Sequence, residues 1–264
     1  MVFKNVLLPP SVFAAQLLKV DTRRMDPRLQ HEIEHGRYLV KHRAGEIWNW
    51  ESPAGRIRWQ RRVRMLGGDI RAGMRVLELG CGTGHFTREL ASTGATIIAI
   101  DISPELLATA EEQCRATNVH FEIQNAYAFT YPEASFDAVV GSSVLHHLVV
   151  EQALAQIYRV LGPRGIIRFT EPNMLNPQIA IQKNVPVVKR RLGDSPDESA
   201  FFRWSLMRRL RRTGFRDVQV TPFDFLHPWL PSPLIRPFQT IGNVLERLPL
   251  ISEIAGSLYI CATK

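Results

Sequence analysis

This sequence predicts a doubly wound α/β fold, a parallel sheet with helices on both faces, and three observations carry the prediction. From Met74 to Asn173, short apolar runs alternate with stretches of helical periodicity. The first of those runs ends in a glycine-rich turn that passes straight into a helix. Outside this region the alternation lapses, so residues 1–70 are expected to form a helical lobe or lid on a main domain of residues 71–264. Segments 174–204 and 226–252 are expected to be insertions that cover the substrate.

The elements follow in order. "RVLELG", "TIIAID", "VHFEIQN", "FDAVVGSSV" and "GIIRFTEPN" are strands; between them "HFTRELASTG", "SPELLATAEEQCRATN" and "VEQALAQIYRVLG" are helices. Strands separated by such helices imply parallel crossover units. Ser103-Pro104-Glu105 supplies an N-cap, a first-turn proline and an acidic first turn, and Gly162 before Pro163 is expected to close the helix ahead of it. After Asn173 the chain turns loop-rich, then shows an Arg-rich helix from about Ser205 to Thr213, a strand in "FRDVQVTPFDFL" and a last strand in "SLYICATK". The stretch between those strands is apolar but broken by Pro228, Pro231, Pro233, Pro237 and Pro249, and reads as a covering segment rather than a membrane span.

Composition narrows the class. With 264 residues, 45% hydrophobic and 22% charged, the chain is an ordinary globular protein with one main core. Cys81, Cys114 and Cys261 are few and unclustered, so neither a disulfide framework nor a metal site is expected, and a reducing, cytoplasmic setting fits. The opening stretch ends near Ala14-Ala15 like a signal peptide, but Pro9 and Pro10 break its apolar run. The net charge of +8 is concentrated in Arg56–Arg64 and Arg203–Arg216, which read as two amphipathic helices with solvated basic faces.

A glycine turn after a parallel strand lays bare backbone against a ligand at the carboxyl end of the sheet. Dinucleotides call for G-x-G-x-x-G, and phosphate loops for a terminal Gly-Lys-Ser/Thr. Gly80, Gly82 and Gly84 instead form G-x-G-x-G with no lysine after them, and Glu78 stands just ahead. That acid would repel a pyrophosphate but suits a cationic amino acid. Asp101, ending the next strand, can accept both hydroxyls of a ribose. A nucleoside joined to a positively charged amino acid is S-adenosylmethionine.

With these residues, and with "FDAVVGSSVLHHL" and "ALAQIYRVLGPRGIIRFTEP" following in order, the chain resembles the class I S-adenosylmethionine-dependent methyltransferases of the small-molecule branch, over roughly 74–173. The resemblance implies a mostly parallel seven-stranded sheet with a C-terminal antiparallel hairpin. It also implies that Glu78, Gly80, Cys81, Gly82 and Gly84 hold the methionine part, Asp101 the ribose, and Ile102 the adenine face. Ser142 is expected in the same site, with Asn125-Ala126 where the family often has an Asp for the adenine amine. "GPRG" replaces the usual Pro-Gly-Gly turn.

Methyl transfer from a sulfonium needs chiefly alignment, and a hydroxyl acceptor also gains from a base. His146 and Glu171, at the carboxyl ends of the fourth and fifth strands, are the catalytic candidates, while His147 is expected to face the core. Trp48, Trp50, Trp59, Phe201, Phe202, Trp204, Phe223, Phe225 and Trp229, all outside the common fold, suggest an apolar or ring-bearing acceptor. Nearby arginines could hold an anionic group on it, and peripheral contact with a membrane would suit a lipid-like one. Oxygen is the favoured acceptor atom. Two alternatives stay open: an RNA methyltransferase, which the charge motivates but no Asn/Asp-Pro-Pro-Tyr/Phe-like stretch supports, and a non-catalytic S-adenosylmethionine-binding protein, which the intact site residues oppose.

Overall fold

The computed structural model describes residues 26–42 and 49–264. The signal-like start and Trp48 lie outside the described residues.

The strands are β1 (Arg75–Leu79), β2 (Thr96–Asp101), β3 (Val119–Ile123), β4 (Phe136–Ser142), β5 (Leu161–Pro172), β6 (Arg216–Phe223) and β7 (Ser257–Thr263). They form one sheet in the order β3-β2-β1-β4-β5-β7-β6. Pairing is parallel from β3 to β5, and β7 runs antiparallel to both β5 and β6. After β1 the chain winds toward β3 and then returns to the other side with β4. The carboxyl ends of β1 and β4 therefore flank a switch point, where such sheets open a ligand crevice. Strands covered on both faces call for apolar residues at nearly every position, and Val76, Leu77, Leu79 and Ile97 to Ile100 are accordingly buried, with Glu78 the one acid among them.

The expected crossover helices are present as α3 (Thr87–Ala91), α4 (Pro104–Gln113) and α5 (Val150–Val160). Ser103 caps α4 by accepting a hydrogen bond from the Leu106 amide. Helix α5 ends earlier than the glycine suggested: Leu161 already pairs with Phe136, so Gly162 lies inside β5. The "GPRG" turn is a register shift within that strand, with Arg164 at φ 64°, a left-handed conformation that glycine takes more easily.

The N-terminal helices are α1 (Pro27–Lys41) and α2 (Pro53–Gly67). α1 packs on α4 so closely that a Cβ on Gly36 would come within 2.4 Å of the Ser103 hydroxyl. α2 lies against β4, β5 and α3 and buries Ala54 and Leu66, so packing continues across residue 70 without a break.

Both covering segments hold more helix than expected. Segment 174–204 contains α6 (Pro177–Asn184) and α7 (Pro186–Arg191), followed by α8 (Arg203–Thr213), and 226–252 contains α9 (Ser232–Leu245). The first read as loop-rich and the second as broken by prolines, but Pro177, Pro186 and Pro233 sit at helix starts, where the missing N–H has no intrahelical partner to lose. Pro237 is only one turn farther in. Among the described residues, no helix is long and apolar enough to cross a membrane.

Candidate functional site

The glycine loop leaves β1 in the conformation its spacing demanded. Gly80, Gly82 and Gly84 have φ values of 67°, 55° and 81°, which side chains rarely adopt. Gly80 also has no room for a Cβ, which would fall 2.4 Å from Val144 Cγ2. Asp101 ties this loop to the next strand: Oδ2 accepts from the Gly82 amide at 3.0 Å and Oδ1 from the Ser103 amide at 2.9 Å. Burial raises its pKa, against those backbone hydrogen bonds.

A cavity of about 490 Å³ opens over the loop. Gly80, Cys81, Gly82, Asp101, Ile102, Ala126 and Ser142 line it, as the resemblance implied. Three expected residues stand back from it. Gly84 packs against Ala110 of α4, so its role is close helix approach. Asn125 turns its side-chain carbonyl to the Tyr127 amide, a local turn that takes up the acceptor intended for adenine; Gln124 and Ala126 face the cavity instead. Glu78 is buried beneath the loop, with Oε2 lacking any hydrogen-bond partner. Burial pushes its pKa up to about 7. An orphaned carboxylate oxygen under three left-handed glycines fits a ligand whose cationic end rests on the loop.

The other end of the cavity is built by residues far apart in sequence. Beyond β4, Leu145–His147 form a short 3-10 turn held by Glu171, which accepts from the Val144 and Leu145 amides at 3.0 and 2.8 Å and lies 2.7 Å from His146 Nδ1. Glu171 is itself 1% exposed and does not line the cavity, so it positions His146 rather than meeting an acceptor. His146 Nε2 faces Glu198 Oε1 at 3.6 Å. Burial lowers the His146 pKa, but the Glu171 and Glu198 carboxylates outweigh it and bring the value to about 9. In this arrangement His146 is held through Nδ1 by Glu171, and its Nε2 faces Glu198 beyond hydrogen-bond distance.

His147 does not face the core. Its Nε2 is 3.0 Å from Glu198 Oε1 and its Nδ1 2.8 Å from Glu32 Oε2 of α1. Glu198 also holds Lys183 at 3.2 Å; burial would raise its pKa, but the charges of His147, His146 and Lys183 keep it well below the usual carboxylate range. Glu32 and Glu198 were missed by sequence reasoning, as were His35, His85 and His227, cavity residues whose pKa burial lowers. A lone acid or histidine in a lobe or loop carries no spacing signal; only the folded chain gathers them.

Of the aromatic residues singled out, Trp50 and Phe225 reach the cavity, joined by Phe86. Phe201 and Phe223 fill the core, while Phe202, Trp204 and Trp229 are exposed. The first arginine run is not a solvated face. Arg58 and Arg62 turn inward onto Asp224, both at 2.8 Å, and Arg61 makes a two-pronged pair with Glu246 at 2.7 and 2.6 Å. In the second run, Arg203 and Arg209 pair with Glu253 and Glu151, and Arg208, Arg211 and Arg212 face solvent.

Residues 77–169 match a family described as a methyltransferase domain. The chain is 37% identical over 120 residues to a demethylmenaquinone methyltransferase of Tropheryma whipplei, covering 43% of this chain and 49% of that protein. It is 30% identical over 165 residues to a 2-methyl-6-phytyl-1,4-hydroquinone methyltransferase of Synechocystis sp., covering 61% and 52%. The chain thus spans about half the length of the curated relatives it matches. A Thermotoga maritima structure described as a SAM-dependent methyltransferase, possible histamine N-methyltransferase, aligns with 87% of this chain and 97% of its own, at TM-score 0.63 and 17% identity, which marks a shared fold.

Proposed function

We propose that this chain, which carries a class I S-adenosylmethionine-dependent methyltransferase domain, methylates a small ring-bearing or lipid-like acceptor at an oxygen atom. The observation that supports this most is the continuity of the cavity: one space runs from Gly80–Gly82 and Asp101 to His146, His147 and Glu198. Bound S-adenosylmethionine supplies an electrophilic methyl group on a sulfonium. The chain's part is then to bind and align. The glycine loop receives the amino acid portion, Asp101 accepts from the ribose hydroxyls, and Trp50, Phe86 and Phe225 give the acceptor an apolar wall that excludes water. At the far end, His146, His147 and Glu198 bring polar groups to the cavity wall, where an acceptor oxygen can be held.

Names of the relatives support a quinone- or hydroquinone-like acceptor for this chain. An RNA acceptor fits less well, because Arg58, Arg61 and Arg62 are engaged by Asp224 and Glu246. Peripheral contact with a lipid surface agrees with the reading: α9 exposes Leu234, Phe238, Ile241 and Val244, with Arg236 and Arg247 exposed nearby. The test is methyl transfer from labelled cofactor to quinols, phenols, amines and RNA. Labelling of a hydroxyl on a quinol or phenol is expected; label appearing only on amines or RNA overturns the proposal.

Glu78 makes cofactor affinity depend on pH. Its carboxyl is protonated below about pH 7 and charged above, and only the charged form favours a cationic ligand. Affinity by calorimetry should rise roughly tenfold between pH 6 and 8, about 1.4 kcal/mol. Stability runs the other way: an acid whose folded pKa is raised costs the ligand-free protein stability as pH rises past the unfolded value. Glu78→Gln should flatten the affinity profile while raising the melting temperature at pH 8; a wild-type slope in the variant would remove Glu78 from this role.

A further inference from the structure

We infer that His146 Nε2, His147 Nε2 and Glu198 Oε1 form a site for one divalent transition-metal cation at the acceptor end of the cavity. No spacing in the chain announces it, since two adjacent histidines and a glutamate about 50 residues away match no ligand motif. The fold brings the three donor atoms within 4.8 Å of one another. Glu198 Oε1 lies 3.0 Å from one imidazole nitrogen and 3.6 Å from the other. With bonds of about 2.0–2.2 Å to nitrogen and oxygen, donors around one cation stand roughly 3.0–3.5 Å apart, so little movement is needed.

The orientation of the rings supports a ligand set more specifically. His146 directs its other nitrogen, Nδ1, at the Glu171 carboxylate, 2.7 Å away, while His147 Nδ1 lies 2.8 Å from Glu32 without hydrogen-bond geometry. The Glu171 carboxylate keeps the proton on His146 Nδ1, so that Nε2 would act as the lone-pair donor once a cation displaces its proton, the arrangement that orients metal-bound histidines in general. Lys183 contacts Glu198 through Oε2, leaving Oε1 to the histidines. Two imidazoles and one carboxylate suit zinc, cobalt or manganese over magnesium or calcium. All three ligand residues line the cavity, so positions not filled by protein would open toward the acceptor. A cation there would bind the acceptor's hydroxyl oxygen and ease loss of its proton, a role that rests on the proposed oxygen acceptor, whereas the binding itself does not.

The test uses the full chain, tag removed, without cofactor or acceptor. Titration with Co²⁺ followed by visible absorption, and with Zn²⁺ by calorimetry and elemental analysis, should show one equivalent bound, with Mg²⁺ at least 100-fold weaker. Glu198→Gln and His147→Ala should each lose the site, and Glu171→Gln should weaken it 10- to 100-fold, as loss of an orienting carboxylate does. His120→Ala, on β3 and away from the cavity, should bind as wild type. No stoichiometric binding by the wild-type chain overturns the proposal, whatever the variants do. So does binding that survives both ligand substitutions in variants with a native circular dichroism spectrum. Because methyl transfer is not read here, a failed acceptor screen leaves this result standing, and the reverse holds too.

Discussion

Asp101→Ala is expected to weaken S-adenosylmethionine binding at least 100-fold, with the fold intact. The carboxylate ends β2 at the mouth of the crevice, positioned by two backbone amides, Gly82 on one oxygen and Ser103 on the other. Each oxygen keeps a lone pair for a ribose hydroxyl. Charge-assisted hydrogen bonds of this kind contribute about 1.5–3 kcal/mol each, so losing two exceeds the roughly 2.7 kcal/mol that a 100-fold change represents. Alanine also frees the Gly82 amide and loosens the loop that receives the amino acid end. Calorimetry measures the affinity, and an unchanged melting profile separates lost binding from lost fold. Asp101→Asn, which can still accept from one hydroxyl, should fall between. Wild-type affinity in the alanine variant would remove Asp101 from the cofactor site.

Asp224→Ala is expected to destabilise the protein by about 3–5 kcal/mol, the usual consequence of removing one partner from a buried ion pair. Asp224 sits just beyond β6 and accepts from Arg58 and Arg62 of α2; the side chains of Asp224 and Arg62 are 3% and 4% exposed. Arg62 further donates to Ser257 and lies over the Phe223 and Trp50 rings. Its pKa is pushed down to about 10, by burial first and against the pull of Asp224, so it stays charged at neutral pH and would be stranded without its partner. At roughly 2–4 °C per kcal/mol for a chain of this size, the melting temperature should fall by about 10 °C. Adding Arg62→Met should restore part of the loss, because the uncompensated charge is gone. A midpoint equal to wild type in the single variant would contradict this account.

The same pair has a pH signature. Burial raises the Asp224 pKa, but the two arginines outweigh it and hold the value below the ordinary carboxylate range. A lowered folded pKa means that the stabilisation is complete above the unfolded value and disappears as pH falls through the folded one. Acid unfolding of Asp224→Asn should therefore begin from lower stability and show a shallower decline between pH 5 and pH 3.

The legible part of this protein is its local and periodic part. Alternating runs of apolar and helical residues, a Ser-Pro-Glu helix start and glycines at alternate positions all act through neighbouring residues. They therefore announced the parallel strands, α4 and the left-handed loop without tertiary help. Where position relative to distant chain mattered, the reading faltered. Pro233, marked as a breaker, turned out to sit at a helix start, and an arginine stripe taken for a solvated face turned inward, because Asp224 and Glu246 come from segments more than 150 residues away. Glu171 looked like a partner for an acceptor and became the clamp of the His146 turn, since only the parallel pairing of β4 with β5 sets its carboxylate under those amides.

By itself, then, the sequence determined the half of the cavity that we assign to the cofactor, because Gly80, Gly82 and Asp101 sit on one continuous β1–α3–β2 unit whose geometry is local. Tertiary structure alone decided the acceptor half. Glu32 from α1, His146 and His147 from the turn after β4, and Glu198 from the segment after α7 meet only when α1 and that segment close over the sheet. Their charges can be buried there because each is paired on arrival, a condition that no stretch of the sequence contains.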